Sequence, residues 1–188
     1  MLYTEIMNAE TKRRVAASAA GFALPRYDQL PTMGLYLDQT VQYVNSHFRT
    51  FAGMELTGSM VSNYVKKGLI THPVRKKYMR DQIAYLMYIV AVKNVLSMEN
   101  IQMLFAIQQE ISTAERAYNT FCAELESAIG QVFGLDAAPR PTDSDLTEEQ
   151  YLLRRTIIPA AHKIYLDCWF DALRQEQALW PDILDDLN

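Results

Sequence analysis

Apolar positions along the chain fall at helical rather than alternating spacing, and they mark out a series of helices. Leu37, Val41, Val44 and Phe48, with Tyr36 and Tyr43 alongside, predict a helix over about 35–48. Phe51 to Glu55 reads as a turn, with Gly53 free to take a positive backbone angle. Thr57 offers an N-cap hydroxyl to a helix over 58–67, and Gly68 stops that helix at the C′ position. Met60, Val61, Tyr64 and Val65 give it an inward side, which leaves Ser59, Ser62, Asn63, Lys66 and Lys67 outside. A loop over 70–77 follows. The next helix, 80–95, is apolar on more than one face (Ile83, Leu86, Met87, Ile89, Val90, Val92), which predicts burial between other helices.

Ser97 caps a helix over 98–110, with Glu99 placed to favour the helix dipole. Ser112 and Glu115 have capping-box spacing ahead of a helix over 113–133, whose stripe runs Ala114, Ala117, Tyr118, Phe121, Cys122, Leu125, Ile129, Val132 and which Gly134 ends. A linker rich in proline, acids and small polar residues follows from Leu135. Thr147 with Gln150 opens the last helix, to about 179, striped by Leu152, Ile157, Ala161, Ile164, Tyr165, Cys168, Trp169 and Leu173. Pro159 predicts a kink there, or a split near Ile158. At the other end, Tyr3 to Ala20 reads as a helix, and Pro25 and Pro31 flank an extended connector. The expected fold is all-α with at most a small β wing: a winged helix-turn-helix region over 34–110, preceded by 1–33 and followed by an antiparallel helical hairpin over 111–188.

Composition changes this picture little. The 188 residues suit one domain or two small ones sharing a core, and 49% apolar with 21% charged residues is ordinary for a soluble protein. The longest apolar run, Ile83 to Val92, is too short for the roughly 20 residues that span a bilayer, so no membrane is expected. Val15 to Pro25 is an alanine-rich patch better suited to an amphipathic helix than to a signal peptide, and the expected location is cytoplasmic. Cys122 and Cys168 lie on inward faces and fit buried thiols; they and His47, His72 and His162 share no metal-ligand spacing. No phosphate loop, nucleophile elbow or metal pair is present, so neither an enzyme nor a cofactor is expected, and Glu124, Glu126, Glu148 and Glu149 read as solvated surface.

Charge changes it more. Residues 1–98 carry twelve Lys and Arg against six Asp and Glu, whereas 99–188 carry six against sixteen. Between Lys66 and Arg80 there are six basic residues and no acidic one, bracketing the predicted turn and wing. A helix that enters a major groove needs short polar side chains toward base edges and cations toward phosphates. That assigns Ser59, Ser62 and Asn63 to base edges, and Lys66, Lys67, Arg75, Lys76, Lys77 and Arg80 to phosphates of double-stranded DNA. An ordinary solvated face can show the same pattern.

TGSMVSNYVKKGL from Thr57, KYMRDQIAYL from Lys77 and VLSMENI from Val95 follow, in order and spacing, the MerR-type winged helix-turn-helix. Together with LPRYDQLP from Leu24 and GLYLDQ from Gly34, the span of about 24–104 resembles a bacterial family known as domain of unknown function 1836. The resemblance implies a DNA-binding regulator. Tyr64, Lys77 and Tyr78 match the MerR-type pattern, which implies phosphate contact for Tyr64 and Lys77, while Tyr78 is at least as well explained by packing. Ser62 stands where most such recognition helices have arginine, Asn63 where they have an aromatic residue, and the metal-sensing cysteines of some members have no counterpart.

MerR-type proteins pair through a C-terminal helix, and two-fold DNA half-sites suit paired subunits, so a homodimer is expected. Tyr118, Phe121, Tyr165, Trp169 and Phe170 are better explained as plain core than as the lining of a small-molecule effector pocket. The rival expectations are an all-α protein-interaction adaptor and a small-ligand sensor without DNA binding.

Overall fold

The computed structural model describes residues 9–135 and 143–177. Within them lie seven α-helices and one two-stranded antiparallel sheet, so the fold is all-α with a small β element. The helices are α1 (Ala9–Ser18), α2 (Leu37–Phe48), α3 (Gly58–Lys66), α4 (Arg80–Val92), α5 (Met98–Ile111), α6 (Ala114–Val132) and α7 (Glu148–Gln177). The strands are β1 (Leu35–Tyr36) and β2 (Lys77–Tyr78), with Leu35 opposite Tyr78 and Tyr36 opposite Lys77. The first part of the helix expected from Tyr3, most of the linker after Leu135 and the acidic tail lie outside the described residues.

Helix α4 is the centre of the molecule. Of its thirteen residues only Arg80, Asp81 and Tyr85 are not buried. It packs on α2 from one side and on α6 and α7 from the others, as all-round apolar character requires. The expected C-terminal hairpin forms within the chain, α6 lying along α7, and α1 packs on α7. The buried side chains make one cluster that runs from Val15 on α1 to Ala172 on α7.

Local chemistry sets most boundaries. The Thr57, Ser97 and Thr147 hydroxyls accept from the backbone N–H three residues on, at 3.2, 3.2 and 3.3 Å. Gly68 and Gly134, at φ +75° and +69°, close α3 and α6. At α3 the Leu69 N–H reaches the Tyr64 carbonyl and the Gly68 N–H that of Val65, a Schellman stop.

Three expectations fail, and of the two outcomes expected at Pro159 one is excluded. Residues 35 and 36 belong to a strand, because they pair with Lys77 and Tyr78 across some forty residues. Thr113 rather than Ser112 caps α6, accepting from the Arg116 N–H at 3.3 Å, while Ser112 terminates α5 through its own N–H to Gln108. Pro159 does not split α7, which runs unbroken for 30 residues. Pro159 and Arg155 are both exposed, so the carbonyl that proline leaves without a donor belongs to a solvent-facing residue. Glu124 and Glu126 are not solvated surface. Glu124 holds the buried Arg154 in a two-pronged ion pair (2.9 and 3.0 Å) across the α6–α7 hairpin. Glu126 takes Arg26 of the connector at 2.7 Å on each oxygen and also accepts from the Leu24 N–H.

Candidate nucleic-acid interface

The surface of interest is built on α3 and the hairpin after it. Residues 59, 62, 63 and 66 share one helix face, and Ser59, Ser62, Asn63, Lys66 and Lys67 are all exposed. The inward side is filled by Val61 and Tyr64, with Leu69 and Ile70 anchoring the chain just beyond the Gly68 stop. Ser59 shares a 2.9 Å hydrogen bond with the Thr57 hydroxyl, and Ser62 donates to the Gly58 carbonyl at 2.9 Å. The Asn63 amide has only a weak contact, 3.8 Å to the Met98 sulfur.

The hairpin is tighter than an eight-residue loop suggests. Val74 and Lys77 exchange two backbone hydrogen bonds of 2.9 Å, leaving Arg75 and Lys76 as a two-residue turn. Their φ angles are +50° and +65°. Positive φ at both central residues defines the type I′ turn, whose preferred occupants are Asn and Gly. Here two long cations stand in those strained positions, and both are exposed. The returning strand β2 then pairs with β1, directly before α2. Gly34 makes that approach possible, since a Cβ there would lie 2.9 Å from the Lys77 Cβ.

Three of the expected contacts fare differently. The Lys77 ammonium lies 5.1 Å from the centroid of the exposed Tyr36 ring and stays at the surface. Tyr64 is a core residue, 5% exposed, and burial raises its pKa; its ring is spent on packing and it leaves the set of phosphate contacts. Tyr78, also 5% exposed, is packing as well. Arg80 is drawn back to the connector: it donates to the Leu30 carbonyl at 3.2 Å and lies 5.2 Å from the Tyr27 ring, so it braces the unit rather than facing a phosphate.

The residues that hold the two helices and the hairpin in place were not legible as such. Asn45, on the buried side of α2, uses its amide as a backbone surrogate: Nδ2 donates to the Leu56 carbonyl at 2.8 Å and Oδ1 accepts from the Leu56 N–H at 2.7 Å. Beyond the C-terminal end of α4, Lys93 donates to the Glu55 carbonyl and Asn94 to that of Gly53 (3.2 Å), so the α2–α3 connection is held from both sides. The buried Gln82 donates to the Thr71 carbonyl at 2.8 Å and accepts from the Met79 N–H at 2.7 Å, which ties the base of the hairpin to α4. The one available signal was polar residues inside apolar stripes.

Charge on this surface is dominated by Lys66, Lys67, Arg75 and Lys76. Glu99, at the start of α5, is held below the ordinary carboxylate range by its own backbone N–H and the Ser97 hydroxyl, with Lys67 adding to the effect. Among the described residues no group of three or more His, Cys, Asp or Glu is placed to hold a metal. No described helix is long and apolar enough to cross a membrane.

Fold and surface together define a class: a helical protein in which two short helices and a strained, cation-tipped hairpin are mounted on a shared core. The chain belongs to the family described as Domain of unknown function (DUF1836), whose model matches residues 25–121. No curated protein and no solved structure matches it significantly.

Proposed function

We propose that this protein is a sequence-specific binder of double-stranded DNA, a transcriptional regulator of the MerR-like winged helix-turn-helix type that acts as a homodimer. In this reading α2 and α3 form the helix-turn-helix and the Val74–Lys77 hairpin is the wing. Ser59, Ser62 and Asn63 meet base edges, and Lys66, Lys67, Arg75, Lys76 and Lys77 meet phosphates. The observation that carries it is the turn at Arg75 and Lys76. Two non-glycine residues at positive φ are costly, and such strain collects where side chains must be presented for function.

The test is a fluorescence-anisotropy titration with genomic DNA fragments in excess non-specific competitor. Saturable, competitor-resistant binding that weakens in Arg75→Ala/Lys76→Ala supports the reading. Binding that is absent at low salt, or indifferent to that double substitution, rejects it. A protein-interaction adaptor is the rival, favoured by the exposed apolar residues Met103, Ile107 and Ile111 on α5; it predicts no competitor-resistant DNA complex.

A further inference from the structure

A second site lies on the other flank of α4, where α4, α5, α6 and the start of α7 enclose a groove with about 90 Å³ of free space. Its walls are aromatic. Tyr85 and Phe105 have ring centroids 4.6 Å apart, Phe105 and Tyr88 5.6 Å, Tyr88 and Phe121 5.3 Å, and Phe121 and Tyr118 6.0 Å, so the rings run unbroken from α5 to α6. The mouth is aliphatic, framed by the exposed Ile107, Ile111 and Leu152.

The groove's polar chemistry is one-sided. The Tyr85 hydroxyl is engaged by Gln108 (3.1 Å) and Gln109 (3.3 Å), and the Tyr88 hydroxyl by Thr156 (3.0 Å). The Gln108 amide is in turn committed to the Ser112 carbonyl at 2.9 Å. Among the described lining residues the one charged side chain is Glu149, half-buried and in no ion pair among the described residues. Ring faces carry negative potential and attract cations, and a carboxylate at the edge of an apolar site acts with the same sign. An anion meets repulsion there, and the hydroxyls of Tyr85 and Tyr88 are already engaged within the protein.

We infer that this groove binds a compact lipophilic cation, an ammonium on a short hydrocarbon, with the hydrocarbon between Tyr85, Tyr88, Phe105 and Phe121 and the ammonium facing Glu149. The inference does not rest on DNA binding, and either can fail alone.

The experiment compares three probes of near-equal size on the full chain: n-pentylammonium, pentan-1-ol and pentanoate. Binding is followed by methyl-resolved NMR on isoleucine and leucine labels and by calorimetry at neutral pH. The expected result is shifts confined to Ile107, Ile111, Leu104, Leu152 and Leu153. The amine should bind at least tenfold more tightly than the alcohol, and the carboxylate should not bind. Glu149→Gln should erase the amine's advantage while the chain stays folded, with at most the small loss of melting temperature that removing an acid from the first turn of α7 entails. Equal binding of amine and alcohol to the native chain overturns the inference without recourse to a variant. So does a chain whose groove is already closed by a second copy, recognised by a concentration-dependent dimer that Ile107→Glu dissociates.

Discussion

Arg75 and Lys76 hold backbone angles that an Asn-Gly pair would occupy with less strain. Left-handed backbone costs an ordinary residue roughly 1–2 kcal/mol. Arg75→Asn/Lys76→Gly should therefore stabilise the fold by about 1–2 kcal/mol in urea denaturation. The same change should weaken DNA binding at all sequences and flatten the dependence of log K on log salt by about 0.9 per lost phosphate contact. A stabilised variant with unaltered affinity would strip the turn of its assigned role. Asn63, exposed and only weakly held, is the base-reading candidate: Asn63→Ala should cost about 1–3 kcal/mol on a preferred sequence and little on others. Uniform loss across sequences would make it a positioning residue. Cys122 reports on the interior. Burial pushes its thiol up to about 11, against an opposing pull from Tyr118 and Arg26. A folded-state pKa above the unfolded one gives stability that is complete below the ordinary value of 9.0 and is lost as pH rises toward 11. The urea midpoint should fall between pH 8.5 and 11, and Cys122→Ala should make that fall shallower.

At the scale of elements, what could be read from the chain was whatever is decided within one helical turn. Thr57, Ser97 and Thr147 cap because a hydroxyl three residues before a free N–H is a local fact, and Gly68 and Gly134 stop helices for an equally local reason. Ser112 and Thr113 show the limit: two adjacent hydroxyls compete, both residues are extended, and the cap falls to Thr113, the one that directly precedes the helix. The outward face of α3 was legible because periodicity sorts inward from outward side chains. The same periodicity placed Tyr64 inward, and the expected phosphate contact came from family likeness instead. The roles of Asn45, Gln82, Glu124 and Glu126 were hidden because their partners lie 11 to 102 residues away. Asn45 offers the sharpest test. Asn45→Ala leaves the N–H and carbonyl of the buried Leu56 without partners, which should cost about 1–3 kcal/mol in chemical denaturation. It should also loosen the α2–α3 angle, so that DNA affinity falls by more than the lost stability accounts for at temperatures where the chain stays folded.

Across the whole molecule, the hairpin is locked by a charge that water barely reaches. Arg154 is 3% exposed and paired with Glu124 on α6 and Asp143 at the foot of α7. Arg154→Met alone should destabilise by roughly 3–5 kcal/mol, because it strands a partly buried carboxylate. Arg154→Met/Glu124→Leu should recover much of that, since removing both charges removes the unpaired one. Thermal melts of the three proteins decide the matter; a double variant as unstable as the single one would mean that shape, not charge, is what Arg154 supplies.

The envelopment of α4 has a practical corollary for how this chain can be divided. The family match ends at residue 121, partway along α6, and so omits Ile129 together with Ile157, Ala161 and Ile164 of α7. A fragment trimmed to that stretch would retain every side chain proposed to touch a duplex. It would also lay bare the flank of α4 that α6 and α7 now shield, offering water a greasy rod where the intact chain offers none. A fragment of residues 25–121 should therefore unfold or aggregate where the full chain stays folded, even though it keeps every side chain assigned to the proposed interface.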